Sequence, residues 1–284
     1  MAVVGLTTGI LPSHRRKLEM IETLSSDQNP RVKLLHKLIT QSKTRRREGL
    51  FVAEGPRLVE DGLKSKYPLD SVFLSTHASA RAQQVLSTVP LKVPRFELDD
   101  KLFDSLSDTE NSQGLLAVFR QTEILLPEKL DFVLIPDGIR DPGNLGTIIR
   151  TAEAAGVQAL LVPPGTVDPW SPKVVRSGMG SHFRLPILEW NWQAIAAFVE
   201  GLCVFGASMD GELSCWEADL RQPTALLIGS EAEGLSSEAR ALVTQTLRIP
   251  MVGKNESLNA AISAAVLVFE VLRQRLETNS NLGS

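Results

Sequence analysis

The 284 residues are 43% apolar and carry 30 Lys and Arg against 33 Asp and Glu, a net charge of −3. That length and apolar content suit two compact domains with real cores, and the overall charge taken alone speaks against a nucleic-acid partner. No uninterrupted apolar run reaches the ~20 residues of a membrane helix, because the best stretch, Ala260 to Leu272, carries Ser263 and Glu270.

The charge is unevenly spread. Residues 1–50 hold ten Lys and Arg against four acids, a local charge of +6 that leaves −9 for the remainder. Such asymmetry points to a basic arm or face directed at a polyanion, although any one cluster also reads as a solvated helix face. Residues 1–30 read as an N-terminal extension with one short helical set near Arg15 to Leu24; Met1 to Leu11 lacks the basic start of a secretory signal. From Arg31, the residues Val32, Leu34, Leu35, Leu38 and Ile39 recur at helical spacing, with Lys33, Lys37 and Lys43 opposite. Lys43-Thr44-Arg45-Arg46-Arg47-Glu48-Gly49 ends that helix.

Alternation follows. Leu50 to Ala53 reads as a strand, Arg57 to Gly62 as a helix with Pro56 in its first turn, and Val72 to Leu74 as a strand. Ala78 to Leu86 is a helix, Arg95 to Leu98 a strand, Lys101 to Leu106 a helix and Leu115 to Phe119 a strand. This pattern implies a small α/β sandwich over residues 31–120. Gln121 to Asp131, with Pro127, reads as a linker, and residues 132–276 as a second domain before a tail at 277–284.

Phe132-Val133-Leu134-Ile135 opens that second domain as a strand buried on both faces. Helices are expected at Asn144 to Ala155, Pro172 to Ser177, Trp192 to Gly201 and Ser236 to Thr244. Strands are expected at Ala159 to Val162, Phe183 to Ile187, Leu202 to Ala207, Thr224 to Ile228 and Leu247 to Ile249. A last helix rich in small residues then follows Pro250, with Asn255 or Ser257 as its cap. This is an open parallel sheet with helices on both sides. Trp170, Trp190 and Trp192 read as one cluster, a core or subunit contact rather than a base-stacking platform. Cys203 and Cys215 form neither a metal spacing nor a disulfide framework, and the four histidines are scattered, so a reducing cytoplasm and no metal are expected.

Several chemistries are excluded. No G-x-G-x-x-G follows the first strand of the second domain, so nicotinamide binding is disfavoured. Gly229 to Gly234 lacks the Lys-Ser/Thr of a phosphate-binding loop, and no nucleophile elbow is present. What remains is three separated segments at the C-terminal ends of buried strands, where open α/β sheets bind ligands. They are Asp141-Pro142-Gly143-Asn144-Leu145-Gly146-Thr147-Ile148-Ile149-Arg150-Thr151-Ala152, Leu227-Ile228-Gly229-Ser230-Glu231-Ala232-Glu233-Gly234-Leu235, and Ile249-Pro250-Met251 running through Ser257-Leu258-Asn259-Ala260 to Val266. Taken singly, Arg150 reads as a surface arginine, Asn144 as a helix cap and Glu231 as a partner of a helix dipole.

Together and in this order, the segments resemble the three motifs of the SpoU branch of the SPOUT RNA methyltransferases. The run Arg45 to Gly55, with Ser112-Gln113-Gly114, resembles the substrate domain that precedes many SpoU catalytic domains. The resemblance covers about residues 31–275. It implies a C-terminal open parallel sheet with a deep trefoil knot and a small N-terminal α/β domain like certain RNA-binding ribosomal proteins. It implies transfer of a methyl group from S-adenosylmethionine to a ribose 2′-hydroxyl of ribosomal RNA, with transfer RNA as the alternative substrate. A non-catalytic RNA-binding or ribosome-assembly protein of the same fold is the rival reading.

Carried onto this chain, the resemblance makes Arg150 the catalytic arginine, with Asn144 and Glu231 positioning it and Ser257 and Asn259 flanking the donor pocket. Gly229, Ile249 and Leu258 contact the donor. Arg45, Arg46 and Arg47 face the RNA, and Lys173, Arg176, Ser177 and Gly178 match a further family segment on that side. The family is homodimeric through its last helix, with the active site beside the partner subunit.

Overall fold

Two sheets divide the chain, and in the computed structural model the described residues are 21–109, 111–253 and 257–280. The first sheet is built from β1 (Ile21–Leu24), β2 (Leu50–Glu54), β3 (Leu69–Ser75), β4 (Arg95–Leu98) and β5 (Leu115–Arg120), in the order β1-β4-β3-β5-β2. Five helices dress it: α1 (Pro30–Thr40), α2 (Ser42–Glu48), α3 (Pro56–Lys64), α4 (Ala80–Thr88) and α5 (Asp100–Asp104). Side-chain alternation decides the layers. In β5, Leu116 and Val118 enter a core with α1 and α5, while Leu115, Ala117 and Phe119 enter a core with α3 and α4.

The second sheet is parallel throughout: β10-β12-β9-β11-β6-β7-β8. Its strands are β6 (Phe132–Pro136), β7 (Ala159–Val162), β8 (Ile187–Glu189), β9 (Cys203–Ala207), β10 (Leu213–Ser214), β11 (Thr224–Ile228) and β12 (Gln245–Arg248). One face packs against α6 (Pro142–Ala154) and α10 (Ala260–Ser280), the other against α8 (Trp192–Phe198) and α9 (Ser237–Leu242). Phe132 and Leu134 of β6 point to the first core, Val133 and Ile135 to the second.

Four expectations are corrected. The single helix from Arg31 is two helices, because Gln41 adopts an extended conformation (φ −125°, ψ 110°) between them. Part of the presumed extension is structure: Ile21–Leu24 pairs in parallel with β4 as an edge strand. The rest of the helix expected near Arg15 lies outside the described residues, as does Asn255. The strand expected from Phe183 begins only at Ile187, since Ser181–Phe183 is a 3-10 turn that turns Phe183 into a core rather than a ladder. The tryptophans do not form one cluster: Trp170 packs with the first sheet, Trp190 and Trp192 with the far side of the second.

The segment between β7 and β8 joins the two sheets. Its helix α7 (Pro172–Ser177) contributes Val175 to the core of the first sheet, alongside Trp170 and Phe183. The Trp170 ring lies 4.9 Å from that of Phe51, and the Phe183 ring 5.0 Å from that of Phe119. On its other side α7 lies on α6 at Gly146, where an added Cβ would stand 2.8 Å from the Val174 carbonyl oxygen. Only a residue without a side chain permits that approach.

His182 is enclosed in this joint. Its Nε2 donates to the Pro169 carbonyl at 2.8 Å, and its Nδ1 is buried without a partner among the described residues. Burial disfavours the imidazolium and pushes the pKa down to about 4, against the opposing pull of that carbonyl and of Asp168. Unfolding restores an ordinary imidazole, which binds a proton below pH ~6.5. The unfolded chain therefore holds the extra proton between pH ~6.5 and about 4, and His182 makes stability fall as pH drops through that window. Over the whole window the loss is about 3 kcal/mol. Urea unfolding followed from pH 7 to pH 5 should show it, and His182→Gln should flatten the slope.

Candidate active site

The C-terminal ends of β9, β11 and β12 open into one cavity of about 730 Å³. Such a volume is in the range that accommodates a cofactor-sized molecule. Ile228 and Gly229 enter it from β11, Ala207 and Ser208 from β9, and Leu247 and Ile249 from β12. Ser257 and Leu258 close it from the segment ahead of α10. The wall is mixed: Ile249 and Leu258 offer apolar surface, while Ser208, Thr246 and Ser257 offer hydroxyls. A donor with a flat base, a sugar and a charged tail fits that composition.

Beside the cavity, three distant parts of the chain meet at one oxygen. Glu231 Oε1 accepts from Asn144 Nδ2 at 2.8 Å, from Asn259 Nδ2 at 3.0 Å and from the Ala260 backbone N–H at 3.1 Å. Asn259 Nδ2 also donates to Asn144 Oδ1 at 3.1 Å. Each participant is held from behind. Asp141 caps α6 by accepting from the Asn144 N–H at 2.8 Å, and Asn259 Oδ1 caps α10 through the N–H groups of Ala261 (3.0 Å) and Ile262 (3.2 Å). Asn259, rather than Ser257, is thus the cap of the last helix.

Gly229 is explained by its own loop. Ser230 and Gly234 exchange backbone hydrogen bonds at 3.1 and 2.9 Å, folding the turn back so that a Cβ on Gly229 would collide with the Gly234 backbone. Its small size serves the tight turn that forms the cavity floor.

Arg150 stands apart. It is exposed on α6 and has no hydrogen-bond or ion-pair partner among the described residues. Six residues from Asn144 at about 100° each, it faces a different direction and does not line the cavity of its own chain. The other expected residues converge: Asn144, Glu231 and Asn259 in the network, and Gly229, Ile249, Ser257 and Leu258 on the cavity wall.

The basic triplet divides. Arg46 donates from Nε and Nη2 to one Glu189 oxygen at 3.0 and 2.6 Å, and Arg47 pairs with Glu48 at 2.6 Å, both at the surface. Arg45 is only 4% exposed, and its guanidinium is spent on Asp168 and on the Leu38 and Ile39 carbonyls. Burial and the ties to Asp168 and to two carbonyls remove Arg45 from the RNA-facing set. Sequence reasoning also missed Ser208, Met209, Asp210 and Arg240 on the cavity wall. The signal for the first three was their place directly after β9, a parallel strand ending at the same edge. Among the described residues there is no group of three or more His, Cys, Asp or Glu side chains that could hold a metal ion.

Residues 131–269 match the SpoU rRNA Methylase family, and residues 29–117 match the MRM3-like substrate binding domain. The chain belongs to the SpoU family. It is 32% identical to the 23S rRNA (guanosine(2553)-2′-O)-methyltransferase RlmP of Bacillus subtilis, over 88% of this chain and 99% of that one. It is 32% identical to the mitochondrial rRNA methyltransferase 3 of Xenopus tropicalis, over 86% and 75% of the two chains. The SpoU methyltransferase AviRb from Streptomyces viridochromogenes, solved in complex with AdoMet, superposes with a TM-score of 0.79 at 31% identity, over 88% and 99% of the chains. In this SpoU protein the region 131–269 carries the whole cavity and network.

Gly229→Ala tests the cavity floor. Forcing a Cβ against the Gly234 backbone should open the turn and weaken S-adenosylmethionine binding about tenfold or more, at a cost in stability of about 1–3 kcal/mol. Calorimetric titration and thermal unfolding on the same sample separate the two effects.

Proposed function

We propose that this protein transfers the methyl group of S-adenosylmethionine to a ribose 2′-hydroxyl of ribosomal RNA. The observation that carries the reading is the meeting of Asn144, Glu231 and Asn259 beside a cavity of donor size. Ribosomal RNA is chosen because the Bacillus subtilis and Streptomyces viridochromogenes relatives, matched along 99% and 92% of their length, are named for it, and the substrate-binding match at residues 29–117 supports an RNA-holding role for the first sheet. Arg46 and Arg47 are the members of the basic triplet left for the RNA. The direct test is mapping of ribose 2′-O-methylation across total RNA from cells with and without the protein. The rival, a non-catalytic RNA-binding protein, requires that calorimetry detect no donor binding.

The donor supplies an electrophilic methyl carbon on a sulfonium; the residues of the chain bind, orient and exclude water. Backbone groups of the β11 and β12 loops, with Gly229, Ile249 and Leu258, hold the donor. Glu231 locks Asn144 to Asn259, fixing the start of α6 against the start of α10. A knotted threading of the loops after β11 and β12 belongs to the same proposal and is supported by the family membership.

Arg150 carries the catalytic role from the partner subunit. Its guanidinium, too weak an acid to serve as a base, clamps a substrate phosphate and orients the 2′-hydroxyl, whose proton leaves toward a phosphate oxygen. Two observations support a homodimer. Arg150 is exposed and unpaired on α6 instead of lining its own cavity. Ile262, Phe269 and Leu276 recur every seven residues on α10 and are 51%, 47% and 58% exposed, an apolar stripe beside α6. A cytoplasmic setting is supported by the two free cysteines, Cys203 and Cys215.

Arg150→Ala should reduce methyl transfer on the order of 10²–10³-fold while donor affinity stays within about twofold, because the arginine acts only on the reacting RNA. Equal loss of donor binding refutes that role. Phe269→Glu should convert the dimer to monomer in sedimentation velocity and abolish transfer with the fold intact by circular dichroism; an active monomer would remove the need for a partner.

A further inference from the structure

Between the RNA-holding sheet and the donor cavity lies a buried joint that the methyltransferase chemistry does not use. Arg45 Nε donates to Asp168 Oδ2 at 2.7 Å, with Nη2 at 2.6 Å from the same oxygen, and Nη1 donates to the Leu38 carbonyl at 2.6 Å and the Ile39 carbonyl at 3.1 Å. Both side chains are under 10% exposed. One guanidinium thus ties α1, α2 and the loop after β7 at a single point. Removing either partner strands a buried charge, so the pair holds one geometry.

From Asp168 the connection continues to the active site through backbone groups. Asp168 Oδ1 accepts from the Trp170 N–H at 2.9 Å, and the Val167 N–H donates to the Ile139 carbonyl at 2.8 Å. Thr166 Oγ1 donates to the Pro136 carbonyl at 2.8 Å and accepts from the Gly138 N–H at 3.0 Å. That anchors the loop from Pro136 to Asp141, and Asp141 caps the helix on which Asn144 sits. Asp137 pins the same loop to β11 and to Ser236, through its own N–H on the Ile228 carbonyl (2.8 Å) and Oδ2 from the Ser236 N–H (2.6 Å).

The remainder of the joint restrains every other direction. Phe51, Trp170, Phe119 and Phe183 fill its centre. At the far end Arg176 pairs with Asp108 at 3.0 Å and lies 3.8 Å from Glu54, a carboxylate that also accepts from Ser107, Thr109 and Ser112. We infer that Arg45 and Asp168 lock the RNA-holding sheet to the catalytic sheet as one rigid body, so that Arg45 is a positioning residue that sets where the bound RNA presents its ribose to the donor. The inference rests on the methyltransferase reading. It assigns this enzyme a fixed-distance mode of substrate choice: RNA must fit the span between the two sheets, and neither sheet swings to meet it.

Two arms test it on the full-length protein. In the first, Arg45→Met should lower kcat at saturating RNA tenfold or more, with the dissociation constants for RNA and for S-adenosylmethionine each within twofold of wild type. Arg45→Met/Asp168→Leu, which removes both charges, should recover kcat to within threefold. A fall in RNA affinity that accounts for the lost activity would make Arg45 an RNA contact and overturn the inference, as would an unchanged kcat in the single variant.

The second arm covers the case in which Arg45→Met does not fold. Asp61 lies against Gly180 across the joint, and its charge acts on the Arg184 guanidinium. Asp61→Cys/Arg184→Cys in a Cys203→Ser background is bridged with a short bismaleimide. The bridged and unbridged forms should turn over RNA at rates within twofold. Loss of turnover on bridging, with both ligands still bound, would show that the sheets must move and would overturn the inference. Failure of the methyltransferase reading is visible separately, as a wild-type chain that transfers no methyl group.

Discussion

One carboxylate oxygen holds the catalytic end of this molecule together. Glu231 Oε1 collects N–H donors from Asn144, Asn259 and Ala260, which lie 87, 28 and 29 residues away along the chain. Charge-assisted hydrogen bonds of this kind are roughly twice as strong as neutral ones, and here three converge on one atom. The oxygen also sits where two helices begin. The first N–H of α10, that of Ala260, donates to it, and the Asn144 side chain reaches it from the first turn of α6, so a carboxylate suits the position.

That junction explains why the cavity has a defined shape although loops form most of its wall. Loops are ordinarily the mobile part of a fold. Here the loop after β11 is folded back on itself through Ser230 and Gly234, and the start of α10 is tied to it through Glu231. The strand ends supply the fixed frame beneath. β9, β11 and β12 are neighbours in a parallel sheet, so their C-terminal ends open on the same side and their loops meet without any long excursion. Parallel pairing thereby gathers residues from positions 208, 229 and 249 around one space.

The features legible in the sequence were those with a local cause. Phe132 to Ile135 and Thr224 to Ile228 read as buried strands because both of their faces meet helices, which demands continuous apolar residues. The three strand-end segments were legible as motifs, and the residues singled out in them, Arg150 aside, do line the cavity or join the network. What was illegible had a distant cause. Arg45, Arg46 and Arg47 are identical in type and adjacent, yet only Arg45 is buried, because its partner Asp168 lies 123 residues away. The break at Gln41 that aims α2 at that partner has no glycine or proline to announce it. β1 and β10 are short edge strands of four and two residues, too brief for a periodic signal. Gly229 was read for the ligand it would admit, whereas its nearest constraint is Gly234.

The two sheets also differ in how they reach their neighbours, and this bears on which of them governs the other. The catalytic sheet closes its cores with helices of its own, α6 and α10 on one side and α8 and α9 on the other. The first sheet does not: the core over Phe51 and Phe119 is completed by Trp170, Val175 and Phe183, all from the segment between β7 and β8. A sheet face left without those aromatic and aliphatic groups would expose apolar surface to water, at roughly 25 cal/mol for each Å² uncovered. The first sheet therefore depends on the segment between β7 and β8 to complete its core. Docking and folding of the first sheet are one event, and the orientation between the sheets is set by the same contacts that keep that core dry.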